Sequence, residues 1–515
     1  MQESVIIGFF NNFICHLARL YNHSKTHLIL ESVSIRLKGM FAESALWNYV
    51  KSYERSSRFF ENSFLYKAVQ GGFNWFLSVI RRFYPYADGC FKCSLTGTLI
   101  MRSITGRLLD KLLDRFVFTI GLFIFIHTTV PYDKWHNQYG AALIVLITLL
   151  YLIKAAGDVR YGLDLKKLDF ALILFTGSVI IAAATSITPA SSLKTLVFNS
   201  MSFLLIFVMV NVIKTREEIG QIMYWIIGAI TMTALYGFWQ YINKVPVDPL
   251  LVDVNFSAGV GRVYSTMGNP NNYAEYLVLT LPFFAAAFLN SKKLWVQLVV
   301  TGLAAFALLN LFFTSSRSSW IGFMVSVFLF IFFKNRKLIP VFIVLGILAI
   351  PFLPASITDR LNTIGKDTSS LYRLNIWIGS SRLLGDYWAT GVGLGPEPFI
   401  KLFNRYTTAQ LPAHSHMLPL QIWLELGIAG LLSFIWLMAR LVKKGMISIF
   451  GKKDEYLNNV IIACIASLAG IFTIGLVEYV WFYPRILTMF WIDAGILMAA
   501  LNLQYLRPGM PELKD

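Results

Sequence analysis

Two histidines, His414 and His416, stand at the mouth of an apolar run that continues through Gln421 and Glu425 to Gly427. Histidine titrates near neutrality, so either ring could take a proton from a hydroxyl or steady a developing charge. Three arginines recur upstream in polar settings. Arg262 lies in Gly261-Arg-Val-Tyr-Ser-Thr-Met-Gly-Asn-Pro-Asn271, Arg317 in Thr314-Ser-Ser-Arg-Ser-Ser-Trp320, and Arg373 directly after Tyr372. A guanidinium fork grips phosphate oxygens in pairs and stays charged at any physiological pH. Two or three such groups on one surface would suit a lipid-linked phosphate or pyrophosphate. Plainer readings stand beside this one. Arginines at helix ends snorkel to headgroups, a histidine at a helix start can cap it, and Asn269-Pro-Asn271 is a turn that can cap a helix near Asn272. Glu425 lies about 13 Å past His416 along a helix, so it could partner another helix instead of substrate.

The elements that must position these residues are apolar. The 515-residue chain is 56% hydrophobic and 14% charged, with mean hydropathy +0.60. A bilayer core of about 30 Å takes about 20 apolar residues per helix, and a lipid-exposed backbone must satisfy its own hydrogen bonds. The pattern predicts an all-α polytopic membrane protein of about 12 spans. They fall at 116–131, 139–154, 169–187, 195–213, 218–242, 272–290, 294–313, 315–333, 338–353, 416–439, 458–480 and 486–505. Glu478 and Asp493 fall inside these spans and stand as pairing residues.

Basic residues gather in alternate connections, as at Lys154–Lys167, Lys334–Lys337 and Arg440–Lys453. The bias puts both termini in the cytoplasm and the connection 354–413, with both histidines, outside. The net charge of +17 follows this topology, with no single basic stripe, which argues against nucleic acid as a partner.

Residues 1–115 carry no signal-peptide pattern. Aromatic and basic residues interleave there, as in Trp47-Asn-Tyr-Val-Lys51, which suits amphipathic helices on the cytoplasmic membrane face. Residues 116–505 form the membrane domain and 506–515 a cytoplasmic tail. Cys90 and Cys93 have metal or redox spacing, but no nearby histidine completes a site. The connection 354–413 is far longer than usual. Within it, Leu371–Leu384 has helical spacing with an apolar stripe of Leu374, Ile376, Trp377 and Leu383. Gly391-Val-Gly-Leu-Gly395 reads as a turn packing the loop onto the membrane domain.

Taken in order, Arg262–Asn271, Ser316–Gly322, Arg373–Trp377 and His416–Gly430 resemble the O-antigen ligase/polymerase superfamily over roughly residues 116–505. The resemblance implies a glycosyltransferase related to the C-type fold. Such an enzyme takes a glycan from undecaprenyl-pyrophosphate and joins it to an acceptor hydroxyl on a glycan, lipid or protein. It implies an inverting reaction with no metal and no cofactor. Carried over, Arg262 and Arg317 hold the pyrophosphate and His416 acts on the acceptor hydroxyl or the leaving group. Arg373, His414, Asn271, Tyr372 and Glu425 line the substrate site. The register to Glu425 selects His416 over His414, although this chain has Met417 where the family often has asparagine. A polysaccharide polymerase and a protein O-oligosaccharyltransferase share these motifs. An inorganic-carbon or other solute transporter is the alternative from another class.

Overall fold

The computed structural model describes residues 60–247, 262–349, 368–406, 412–451 and 454–505, together with Leu28 and Ser32. Most of residues 1–59, the tail 506–515, Cys15, and residues 354–367 and 407–411 of the long connection lie outside the described residues. Every regular element among the described residues is helical. Among the described residues, eight helices are long and apolar enough to cross a membrane, and two more apolar helices are shorter. The chain is a multi-pass membrane protein.

Three helices precede the bundle: α1 (Phe64–Cys93), α2 (Leu95–Arg102) and α3 (Ile104–Asp114). Ser63, Ser94 and Ser103 cap them, each hydroxyl accepting a backbone N–H of the first turn. Helix α1 is tied to the connection after Gly157. Arg81 donates to the Ala155 and Tyr161 carbonyls at 2.9 and 2.6 Å, and Gln70 to that of Leu163. Much of the apolar surface of these helices is exposed, including Trp75, Phe83, Tyr86, Leu95 and Ile104.

A helix lies at each expected position, but Arg317–Asn335 and Ile339–Ala349 are outside the eight long apolar helices and the two shorter ones, so ten of the twelve expected spans are matched by such a helix. The first half has α4 (Phe116–Thr129), α5 (Asn137–Gly157), α6 (Phe170–Ala184), α7 (Pro189–Val212) and α8 (Arg216–Ile242). The second half has α9 (Pro270–Thr280) running on into α10 (Pro282–Asn290), then α11 (Leu294–Phe313), α12 (Arg317–Asn335) and α13 (Ile339–Ala349). Helices α14 (Thr368–Tyr387) and α15 (Pro396–Phe403) belong to the long connection. The chain closes with α16 (Leu418–Phe450), α17 (Glu455–Gly475) and α18 (Pro484–Tyr505). The last two helices and α9 are the deepest in the core, with few lipid-accessible residues.

Helix α16 continues well beyond the expected end at 439. Arg440 and Lys444 stay helical because both find Asp169, the residue capping α6, at 2.7 and 2.6 Å. A second difference concerns Glu478. Helix α17 ends at Gly475, so Glu478 lies in the loop before α18 and not within a span.

Helices α12 and α17 run antiparallel. Gly322 faces Gly470 and Ile474 so closely that a Cβ there would meet the Gly470 carbonyl at 2.6 Å. At the other end, Lys334 reaches Glu455 and Asn459, both at 2.8 Å. That pairing puts Arg317, at the start of α12, at the same end of the bundle as Glu478.

The described part of the long connection builds a small core of its own. Ile376, Leu383, Leu384, Val392, Phe399, Leu402 and Phe403 pack with Leu424 of α16. The buried face of α14 is Ile376, Ser380, Leu383 and Leu384. Leu374, expected in the stripe, is 48% exposed, because i, i+4, i+7 and i+8 from Ile376 turn it outward.

Candidate active site

The Gly391–Gly395 turn seats these loop helices on the bundle. Helix α16 is broken at Gly427, whose φ of 70° and ψ of −176° interrupt its hydrogen bonds. The freed carbonyls of Leu424 and Glu425 accept from Val392 and Gly393 N–H at 2.7 and 3.2 Å, and Ile428 N–H donates to the Trp388 carbonyl. A broken helix at membrane depth is tolerated only when its backbone groups are paired again in this way. The first turns of α16, carrying Gln421 and Glu425, become a separate rigid piece below the histidines.

Glu425, buried at 5% exposure, does not touch His416. Its Oε1 accepts from Gln421 at 2.8 Å and from the Tyr479 hydroxyl at 3.3 Å. The other end of Gln421 accepts the Ser415 N–H at 2.7 Å. Glu425 therefore fixes the backbone between the two histidines. His416 has φ +50°, an uncommon conformation for a residue with a side chain, which the surroundings must hold in place. The Ser415 hydroxyl donates to the Met417 carbonyl, and His416 N–H donates to His414 Nδ1 at 3.2 Å.

The histidines take different roles from this geometry. His414 is buried against Tyr479 and Phe482, with ring centroids at 5.5 and 4.6 Å. Burial, reinforced by neighbouring His416, pulls its pKa down to about 3. Its ring is neutral and its Nδ1 is occupied. His416 is half-buried, with Tyr372 edge-on at 6.1 Å. Its Nδ1 lies 2.8 Å from Glu478 Oε1, and Arg373 donates to the other carboxylate oxygen at 3.0 Å. Burial alone would raise the Glu478 carboxyl, but the His416 hydrogen bond and the Arg373 charge outweigh it and hold it at about 2. An ionised carboxylate can only accept. Nδ1 of His416 must then carry a proton, and Nε2 is the ring nitrogen not engaged by Glu478.

A second cluster surrounds Arg262. Its Nε donates to the Thr314 carbonyl at 2.9 Å and its Nη2 to Asn271 Oδ1 at 2.6 Å. Thr314 opens the turn into Arg317, so the two arginines are brought to adjacent backbone. The segment after Arg262 is pinned by polar bonds to neighbouring helices. Val263 N–H reaches the Phe313 carbonyl, Ser265 bonds Gln240 and Thr233, and Thr266 donates to the Thr128 carbonyl. Asn269 caps α9, which begins at Pro270. Its Nδ2 lies 3.4 Å from the Tyr483 hydroxyl, and Tyr483 follows Glu478 by five residues. The arginine cluster and the histidine cluster thus lie at one end of the bundle.

Sequence reasoning missed Glu478 as the partner of His416. The available signal was a carboxylate at a span end, in the aromatic run Tyr479-Val-Trp-Phe-Tyr483, with no basic neighbour in sequence to pair it. His414, His416 and Glu478 present ligand atoms within 4.8 Å of one another, spacing that could hold a metal. Arg373 already neutralises that carboxylate, however, and competes with any cation for it. Cys90 and Cys93 are both exposed and free.

Residues 302–435 match the family model described as O-antigen ligase. The matched stretch carries Arg317, Arg373, both histidines and Glu425, in the order and setting described above. The match covers about a quarter of the chain and makes it similar to the O-antigen ligase family over that stretch. Two rickettsial proteins, each named "Putative polysaccharide ligase", are similar to it. One, from Rickettsia conorii, is 26% identical over 214 residues, covering 38% of this chain and 49% of that protein. The alignment thus spans about half of that relative's length. The other, from Rickettsia felis, is 25% identical over 353 residues, covering 66% of this chain and 80% of its own.

Proposed function

We propose that the protein transfers a glycan from a lipid-pyrophosphate donor, undecaprenyl-pyrophosphate in bacteria, to an acceptor hydroxyl at the outer face of the cytoplasmic membrane. The observation that carries this is the chain Arg373–Glu478–His416 at the bundle end that also holds Arg262 and Arg317. His416 Nε2 takes the proton as the acceptor oxygen attacks the anomeric carbon. The bond from that carbon to pyrophosphate breaks as the new one forms, so a single displacement inverts the centre. Arg262 and Arg317 hold the charge that collects on the departing pyrophosphate, which is the role a metal would otherwise fill. Glu478 keeps Nδ1 protonated and the ring oriented, much as a carboxylate does behind the histidine of a serine hydrolase. Arg373 anchors Glu478, and its buried Nε, without a partner among the described residues, is a further donor for substrate oxygens. Both termini are cytoplasmic in this reading, and α1–α3 lie on the inner leaflet with their exposed aromatic residues in the headgroup layer.

The test uses purified protein in lipid nanodiscs with a lipid-pyrophosphate oligosaccharide and lipid, glycan and protein acceptors. One addition per acceptor is the expected product. A ladder would reassign the protein as a polymerase, and addition to a protein side chain as an oligosaccharyltransferase. Solute uptake without glycan transfer to any acceptor overturns the reading.

A further inference from the structure

A cavity of about 210 Å³ opens beside the arginine cluster. It is lined by Tyr132, Trp135, Asn137, Asn272, Tyr483 and Arg485, contributed by the α4–α5 connection, α9 and the start of α18. The lining combines aromatic rings with carboxamides. The one cation is already committed. Arg485 donates to the Thr266 and Val130 carbonyls, both at 2.9 Å, and lies 4.8 Å over the Trp135 ring. Two of its N–H groups are therefore held by backbone carbonyls, and its face lies against the indole.

One donor is not committed. Trp135 is only 9% exposed, and its indole N–H has no acceptor among the described residues. A buried donor without a partner is costly unless something else supplies the acceptor. Asn137 is exposed at the rim, and Asn272 follows the Asn271 that holds Arg262. Tyr132 lies against Gly268, whose φ of 74° and missing side chain make room for it, since a Cβ there would lie 2.5 Å from the tyrosine ring.

We propose that this cavity is a saccharide subsite that takes one neutral sugar ring of the glycan. The C–H face of the ring lies on the aromatic walls, its hydroxyls accept from the indole, and they exchange hydrogen bonds with the two carboxamides. The sugar class rests on the glycan-transfer reading above. Because Tyr483 and Asn272 join the cavity to Glu478 and Arg262, a sugar held here fixes the register of the chain past the reacting centre. The cavity thus selects which glycan is transferred, while the arginines hold a pyrophosphate common to every donor.

Binding can be measured without transfer. Saturation-transfer NMR on the full chain in nanodiscs, with methyl glycosides of glucose, galactose, mannose, rhamnose and N-acetylglucosamine, should give a saturable signal for at least one. Trp135→Phe should weaken that binding about tenfold, the worth of one buried hydrogen bond, and inorganic pyrophosphate should not compete. Asn137→Ala removes an exposed side chain, should also weaken binding, and decides the matter if Trp135→Phe fails to fold. No binding by any of the glycosides, or equal binding in the wild type and the foldable variants, overturns the subsite. His416→Ala separates the two readings. It should bind glycoside like the wild type while losing transfer, and transfer surviving in it would count against the mechanism alone.

Discussion

Two carboxylates in this molecule each hold two basic side chains, at opposite ends of the bundle and to different effect. Asp169 is 1% exposed. It accepts from Arg440 and Lys444 while also capping α6 through the Ala171 N–H at 3.0 Å. All these partners are helix residues. Glu478 sits in a loop at 15% exposure, bridging Arg373 and a histidine, both 22% exposed, on a backbone held at φ +50°. One arrangement cross-links α6 to α16. The other joins the loop helix α14 to the half-buried His416. The same kind of pairing therefore ties two helices together at one end of the bundle and, at the other, holds the histidine on which the proposed mechanism rests.

The contrast is sharpest when each carboxylate is neutralised. His416→Ala should cut glycan transfer at least about a hundredfold, and Glu478→Gln should do nearly the same, because an amide no longer holds the proton on Nδ1. Both variants should still fold in good yield, Glu478→Gln at a lower thermal midpoint because it gives up the charged bonds to Arg373 and His416. Asp169→Ala should reverse the pattern. Leaving Arg440 and Lys444 buried without their partner costs about 3–5 kcal/mol, so folded protein should be scarce, and whatever folds should transfer glycan at the normal rate. Normal yield for Asp169→Ala, or loss of folded protein for Glu478→Gln, would erase the distinction.

What was readable in the sequence follows from the range of each interaction. A span is a local property, and hydropathy over about 20 residues found a helix at every expected position. Arg262, Arg317, Arg373 and His416 stood out because polar groups beside hydrocarbon are rare. Partnerships were not readable. His416 and Glu478 are separated by 62 residues and a whole antiparallel pair of helices, and nothing local to either names the other. The end of α16 was misplaced for the same reason, since Arg440 remains in the helix on account of an aspartate 271 residues away. The break at Gly427 needed the glycine turn of another segment to re-pair its carbonyls.

The hinge between the two regions offers a smaller effect. Gly393 has φ +109°, and a Cβ added to it would meet Ser186 Oγ at 2.0 Å. Gly393→Ala should cost about 1–3 kcal/mol through backbone strain, and more if Ser186 cannot yield. Because this turn seats α14 and α15, limited proteolysis of the 368–406 segment should accelerate before the bundle itself melts. Simultaneous loss of both would show that the loop helices and the bundle are a single cooperative unit.

The last difference between the two ends is in their response to acid. Asp169, Arg440 and Lys444 include no imidazole, whereas the site end has His414. Its folded pKa of about 3 lies below the 6.5 of a free ring, so below pH 6.5 the unfolded chain binds a proton that the folded chain refuses. Stability must then fall as pH drops from 6.5 toward 3. Glu478 adds a second loss, but only below 4.5, where the unfolded carboxyl begins to protonate while the folded one, at about 2, does not. The interval from pH 6.5 to 4.5 separates the two. There the thermal midpoint of wild-type protein should decline with a slope that His414→Gln reduces and Glu478→Gln leaves unchanged. An identical slope in His414→Gln would mean that the buried ring is already protonated in the folded protein, and that the site end resists mild acid as well as the Asp169 end does.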